Sequence, residues 1–250
     1  MRSSLLALAI AAASCHAATL WVIGDSTAAQ GGPEMMPGVV GFGAFLNDYV
    51  DMEVMNWSLG GGTIRTVTEI GIIDKIATLV KPHDWVVFEI AHNSRGDPAV
   101  SHKADCPDDG SHKAICHAAN GARVSTYYAS LVNAMSLLKG KGAKVIAATQ
   151  TPNNPWETGR FVYAPASLSA DTQAAARAVG AEFIDHGATL AASYKALGAA
   201  KTKALFPIDH THTNEAGARV AAAAFAKAVI CSKSLLSHAV KDVALPAECA

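Results

Sequence analysis

An α/β fold, with a parallel sheet covered by helices on both faces, is predicted by two observations. Short apolar segments rich in β-branched residues alternate with longer stretches of helical periodicity. Polar or glycine-rich residues then follow the short segments, as at the carboxyl edge of an open parallel sheet. In chain order the strands are expected at Leu20–Ile23, Met52–Met55, Trp85–Ile90, Lys144–Ala148 and Glu182–Ile184. Helical stretches are expected around Gly43–Tyr49, Val67–Leu79, Ser125–Leu138 and Ser167–Val179. A closing helix is expected over Thr213–Ile230, capped by Thr213 or Asn214. Gly140-Lys141-Gly142 reads as a helix stop before a strand. No internal repeat or low-complexity segment divides the chain.

Residues 1–17 read as a secretory signal peptide: Arg2 is basic, Leu5 to Ala13 is a short apolar run, and small residues follow through Ala18. Cleavage after Ala17 leaves one domain, residues 18–250. The apolar run is too short to span a bilayer, and the later stretch Ala218 to Ile230 carries Arg219 and Lys227. A secreted, extracellular protein with no membrane partner is expected. Cys15 leaves with the signal, and Cys106, Cys116, Cys231 and Cys249 remain to form disulfides in an oxidising compartment. Three connectivities are open, of which the local pairing, Cys106–Cys116 and Cys231–Cys249, is the most economical. A zinc site from Cys106, His112, Cys116 and His117 matches no common ligand spacing. Twenty basic and 21 acidic residues leave a formal charge of -1, without the basic clustering that nucleic-acid binding requires.

The loops at the strand ends carry the candidate chemistry. Gly24-Asp25-Ser26 follows the first expected strand and places a hydroxyl on a tight turn. Such a tripeptide is also an ordinary helix cap, so its partners decide the matter. Asp209-His210-Thr211-His212 supplies a base, His212, and a carboxylate to orient it, Asp209. Three residues apart on a turn, the two side chains can share a face. His210 points elsewhere and is given a structural role; a metal pair of His210 and His212 is the competing reading. Gly61 offers a backbone N–H that ligands can approach closely, and Asn93 offers a side-chain amide. With the Ser26 N–H these make an oxyanion hole for acyl transfer. Asn56-Trp57-Ser58 matches a glycosylation sequon, but its place at a strand end predicts that Asn56 braces the Ser26 loop instead.

Gly24-Asp25-Ser26, Gly61, Asn93 and Asp209-x-x-His212 together resemble the GDSL/SGNH hydrolases. Within them, the segments Thr149–Gly159 and Phe206–Thr213 are similar to rhamnogalacturonan acetylesterases. The resemblance implies a three-layer α/β/α sandwich with a five-stranded parallel sheet, of flavodoxin-like type. It implies a serine esterase that removes acetyl groups from the rhamnogalacturonan backbone of pectin, with Ser26, His212 and Asp209 as the triad. Ser26, Gly61 and Asn93 would form the oxyanion hole, and no metal or organic cofactor would be needed. The two cysteine pairs sit where that family carries its disulfides.

This chain departs from the family's pattern at Ala91-His92-Asn93-Ser94, where Gly-His-Asn-Asp is common, and at Gly61-Gly62-Thr63, where Gly-Arg-Ser is frequent. These changes bear on the substrate, not on the catalytic set. An acidic polysaccharide needs cations, and Arg65, Arg95 and Arg160 are expected in or near the site loops. The expected partner is thus an acetylated pectic polysaccharide, met by a monomer. Three alternatives compete: a deacetylase of xylan or another acetylated glycan, a sugar-binding protein that lost catalysis, and a metal-dependent hydrolase.

Overall fold

The computed structural model describes residues 17–31, 36–246 and 248–249. The expected signal peptide, apart from Ala17, lies outside the described residues. Five strands form one parallel sheet, β1 (Thr19–Gly24), β2 (Glu53–Asn56), β3 (Trp85–Glu89), β6 (Lys144–Ala148) and β7 (Glu182–Ile184), in the order β2-β1-β3-β6-β7. Between β3 and β6 lies a small antiparallel hairpin of β4 (Ile115–His117) and β5 (Arg123–Ser125). The helices are α1 (Ile64–Glu69), α2 (Ile72–Leu79), α3 (Tyr127–Gly140), α4 (Ser169–Val179), α5 (His186–Leu197), α6 (Ala199–Lys203) and α7 (Glu215–Cys231). This is the three-layer sandwich with its strand order reversing between β1 and β3, where open α/β sheets bind ligands.

The two layers on the sheet are written into the strands by alternation. Leu20, Val22, Val87, Ile146 and Ile184 face α5 and α7, where alanines such as Ala221, Ala222 and Ala224 allow close approach. Trp21, Ile23, Val86, Phe88 and Val145 face the other way, against α1 to α4. The amino end of the sheet is pinned by Asp84, which accepts from Thr19 N at 2.9 Å and from Trp21 Nε1 at 3.0 Å. Its centre holds a fully buried pair, Glu89 and His186, with Nδ1 at 2.8 Å from the carboxylate and Nε2 at 2.9 Å from Ala221 O. A carbonyl can only accept, so Nε2 carries hydrogen, and Nδ1 and Glu89 share the remaining proton. Burial pushes the Glu89 carboxyl up, against the opposing pull of His186. Breaking such a pair by removing one partner costs roughly 3–5 kcal/mol.

Several expected elements differ in detail. The stretch 67–79 is two helices, because Gly71 takes φ 82° between them and starts the second in a new direction. The segment Phe42–Asp48 is a 3-10 helix. α5 went unanticipated because it starts two residues after β7, with Asp185 as its cap accepting from Ala188 N. Asn214 caps α7, accepting from Gly217 N at 3.0 Å. The cysteines take the local connectivity, Cys106–Cys116 and Cys231–Cys249. No described helix is long and apolar enough to cross a membrane.

The connection from β3 to α3 is held down at several points. Asp105 N donates to Ser94 O at 2.9 Å, Cys106 N to Ser125 O at 2.9 Å, and Arg65 Nη1 to Ala104 O at 2.8 Å. Asp105 itself is buried, 3% exposed, and neither of its carboxyl oxygens completes a hydrogen bond. Burial pushes its carboxyl up to about 7, despite the nearby Ser94 hydroxyl and Arg65 guanidinium. In the unfolded chain the same group ionises at its ordinary value of 3.8. Stability is therefore lost as pH rises from the unfolded value towards the folded one, because only the unfolded chain ionises freely there. We expect Asp105→Asn to remove this dependence, so that its Tm relative to the parent rises between pH 5 and pH 8 by about 3 °C or more. A constant difference in Tm across that range, measured by calorimetry, would show that Asp105 does not titrate with folding.

Candidate active site

The carboxyl ends of β1 and β3, with the loops after β2 and β6 and the segment before α7, bring the expected residues together. Position 24, the last of β1, requires glycine because there is no room for a side chain: a Cβ would lie 2.6 Å from Ala28 Cβ and 3.1 Å from Glu89 O. The chain then turns, with Ala28 N and Ala29 N donating to Asp25 O. Asp25 is fully buried and uses both oxygens, Oδ1 for Thr27 N at 3.0 Å and Thr27 Oγ1 at 2.9 Å, and Oδ2 for His92 N at 3.2 Å. Asn56 braces the same turn from β2, its Nδ2 donating to Ala28 O at 2.8 Å. Ser26 is thereby fixed at 7% exposure.

Ser26 Oγ lies 2.8 Å from His212 Nε2, and His212 Nδ1 lies 2.6 Å from Asp209 Oδ2. Asp209 Oδ1 accepts from the backbone N–H groups of Thr211 and His212, both at 2.7 Å. Partial burial alone would push the Asp209 carboxyl up, but the His212 N–H, the His212 ring and the Thr211 N–H hold it below the usual carboxylate range. An ionised Asp209 has only lone pairs to offer, so the proton sits on Nδ1 of His212. Nε2 is then the acceptor facing the Ser26 hydroxyl. His210 turns elsewhere, its Nδ1 3.0 Å from Glu157. The two histidines therefore serve different partners and do not form the metal pair that their spacing allows.

The loops after β2 and β3 that carry the remaining expected groups are tied to the end of β1, Leu59 N donating to Gly24 O at 3.0 Å and His92 N to Asp25. Gly61 takes φ 70°, a left-handed conformation that favours glycine. Neither its N–H nor that of Ser26 donates to an acceptor among the described residues. Asn93 Nδ2 donates one hydrogen to Gly62 O at 3.1 Å, which orients the amide and leaves its second hydrogen for a ligand. The loop after β6, to which sequence reading assigned no catalytic residue, carries much of the support. Gln150 and Thr151 meet the His92 ring at 3.2 and 3.3 Å, Asn153 accepts from Thr211 Oγ1 at 2.8 Å, and Asn154 N donates to His210 O at 2.7 Å. A recess of about 310 Å³ opens in this loop, lined by Gln150, Thr151, Asn153, Asn154 and Tyr163 among others.

The three expected arginines are placed differently from one another. Arg65 is committed, its Nε 2.8 Å from Glu69 and its Nη1 on Ala104 O, so it braces the 94–106 loop. Arg95 is exposed and its charge falls on Asp171. Arg160 is exposed on the loop after β6. A cation that sequence reading missed, Lys103, stands beside Gly61: a Cβ there would lie 2.4 Å from its Nζ. Among the described residues, metal-ligand chemistry gathers only at Asp108, His112 and Asp171, within 4.8 Å of one another. There Asp108 already pairs with His112, and His112 stacks on Tyr128 with ring centroids 4.0 Å apart. Cys106 and Cys116, joined as a disulfide, are not available as zinc ligands.

No protein-family model matches the chain. The rhamnogalacturonan acetylesterase of Emericella nidulans is 38% identical to it over 240 residues, which is 94% of each chain. Among solved structures, the protein YxiM of Bacillus subtilis matches with a TM-score of 0.71 at 22% identity, over 88% of this chain and 58% of that one. An acetylxylan esterase of Geobacillus stearothermophilus matches with a TM-score of 0.55 at 20% identity, over 85% of this chain and 94% of that one. At these identities the two structures bear on the fold alone.

The Ser26 turn is packed from behind by Gly41, where a Cβ would stand 2.5 Å from Ala28 C and Ala29 N and 2.6 Å from Thr27 O. These are backbone atoms and cannot swing aside. Gly41→Ala is expected to cost about 1–3 kcal/mol of stability, read as a lower denaturation midpoint with an unchanged m-value. It should also lower kcat, because relief of the clash moves the turn that holds Ser26. An unchanged midpoint would mean that the turn yields freely.

Proposed function

The chain belongs to the rhamnogalacturonan acetylesterase family, within the SGNH/GDSL hydrolases, and from this membership and the Ser26–His212–Asp209 geometry we propose how it works. It is a carboxylic ester hydrolase. Its proposed substrate is the acetylated rhamnogalacturonan backbone of pectin, and it acts as a secreted, single-domain enzyme. The observation that carries the mechanism is the 2.8 Å contact of Ser26 Oγ with a nitrogen whose tautomer Asp209 sets.

Ser26 Oγ attacks the acetyl carbonyl carbon while His212 Nε2 takes its proton. The carbonyl oxygen becomes an oxyanion and receives the N–H groups of Ser26 and Gly61 and the free amide hydrogen of Asn93. Asp209, beside Nδ1, stabilises the imidazolium that forms. Collapse breaks the bond to the sugar oxygen, which takes the proton from His212 and leaves as a hydroxyl. Water then attacks the acetyl-Ser26 ester, passing its proton to His212, and acetate departs as Ser26 is restored. The polar recess in the loop after β6 suits neighbouring sugar hydroxyls, and exposed Arg160 on the same loop suits a uronate further along.

Ser26→Ala is expected to lower kcat for an aryl acetate by at least about 10⁴-fold, and Asn93→Ala by about 10²–10³-fold. Chelators should leave the parent's rate unchanged; activity kept by Ser26→Ala and abolished by a chelator would point to a metal-dependent hydrolase. Acetate release should be fastest from acetylated rhamnogalacturonan when that polymer is compared with acetylated homogalacturonan and acetylated xylan. Preference for xylan would reassign the polymer and leave the reaction in place.

A further inference from the structure

We propose that Lys103 is a specificity-determining residue of this site, a fixed ammonium that pairs with the carboxylate of the uronic acid bearing the acetyl group. The proposal rests on the acetylated-pectin reading given above and adds to it the residue that recognises the acid. The placement of Nζ is its first support. It occupies the direction that a side chain would take from Gly61, so the cation stands against the residue whose N–H faces the proposed oxyanion. A Cβ and an N–H leave different atoms of the residue, so the ammonium flanks the donor and does not stand in its place.

The second support is that this cation has no partner among the described residues. Lys103 is half-buried, yet its ammonium makes no ion pair or hydrogen bond among the described residues. The carboxylates around the catalytic residues are already engaged: Asp25 by Thr27 and His92, Asp209 by His212. An unpaired ammonium drawn partly out of water is a receptor for an anion. Galacturonate brings one on the same ring as its acetyl ester, so a single sugar can meet both Ser26 and Lys103.

The third support is that the lysine is held, not trailing. Its backbone N donates to Ser101 Oγ at 3.3 Å, and the next three residues are fixed by Ser101 O, Arg65, Ser94 O and Ser125 O. The Cys106–Cys116 disulfide closes the same segment. A side chain carried on a pinned backbone loses less freedom when it binds, and more of its charge interaction appears as affinity.

The test uses a pair of probes that differ only in charge, an acetylated methyl galacturonoside as free acid and as its carboxyl methyl ester, alongside acetylated rhamnogalacturonan. We expect the parent to favour the acid in kcat/KM, and Lys103→Met to lower that acid-to-ester ratio by about ten-fold, chiefly through KM. Lys103→Arg should restore most of the ratio, and added salt should narrow it in the parent. Equal losses on both probes, or a ratio that Lys103→Met leaves alone, would overturn the proposal, and circular dichroism of the variant separates misfolding from either. If the parent discriminates between the probes through Lys103 but leaves the polymer untouched, the polymer reading fails and the role of Lys103 stands. If it deacetylates the polymer with no dependence on Lys103, the reverse holds.

Discussion

The buried carboxylate of Asp25 is the constraint on which the site's geometry depends. Removing a charge from water is costly unless several donors replace the water. Here the Thr27 N–H and hydroxyl occupy one oxygen and the His92 N–H occupies the other. That arrangement ties the end of β1 to the end of β3 across the point where the strand order reverses. Ser26 lies inside the tie, and Asn93 follows directly on its far side. From His92 the connection continues through Gln150 and Thr151 to Asn153 and Thr211, and so to the segment that carries Asp209 and His212. Ser26 and His212 are thus linked through hydrogen bonds at His92 and at Asn153, joined to each other by the backbone of residues 150–153.

The central strands β1 and β3 were legible in the sequence because each is buried throughout and reads as a nearly continuous apolar run, whereas the edge strands β2 and β7 are only partly buried and were marked by their place in the strand–helix alternation. Ser26, Asp209 and His212 were legible for a different reason: their residue types are unusual at strand ends and sit at fixed offsets. α5 was hidden because no loop separates it from β7, and its cap, Asp185, stands at the junction itself. The break between α1 and α2 turned on one backbone angle at Gly71, which hydrophobic spacing does not record. Lys103 was illegible because the residues around it have no period; its position follows from Arg65, Ser94 and the disulfide closing on that segment from elsewhere. Arg65 misled for the same reason. Its pairing with Glu69 four residues on is readable, but its bond to Ala104 O, 39 residues away, is not.

Buried charge is distributed with a consistent logic. Asp84 pins the amino end of the sheet, Glu89 with His186 holds the middle to α5 and α7, and Asp25 organises the carboxyl end. Each has donors enough to stay in place. Asp105 is the exception, lacking bonds for both oxygens and lying next in line to Ala104. It shares its segment with the cation over Gly61, so the least satisfied part of the interior adjoins the part of the surface that selects among ligands. Sites that bind selectively are often where local stability has been given up.

Ser26 and His212 stand 186 residues apart in the chain, and the hydrogen bond between them closes only when the segment leading into α7 is laid against the loops after β1 and β6. In a growing polypeptide Ser26 is therefore made well before its histidine partner. Until then the serine is an ordinary alcohol. The pairing of serine with histidine is in this way a property of the finished fold and of no shorter stretch of the chain between them.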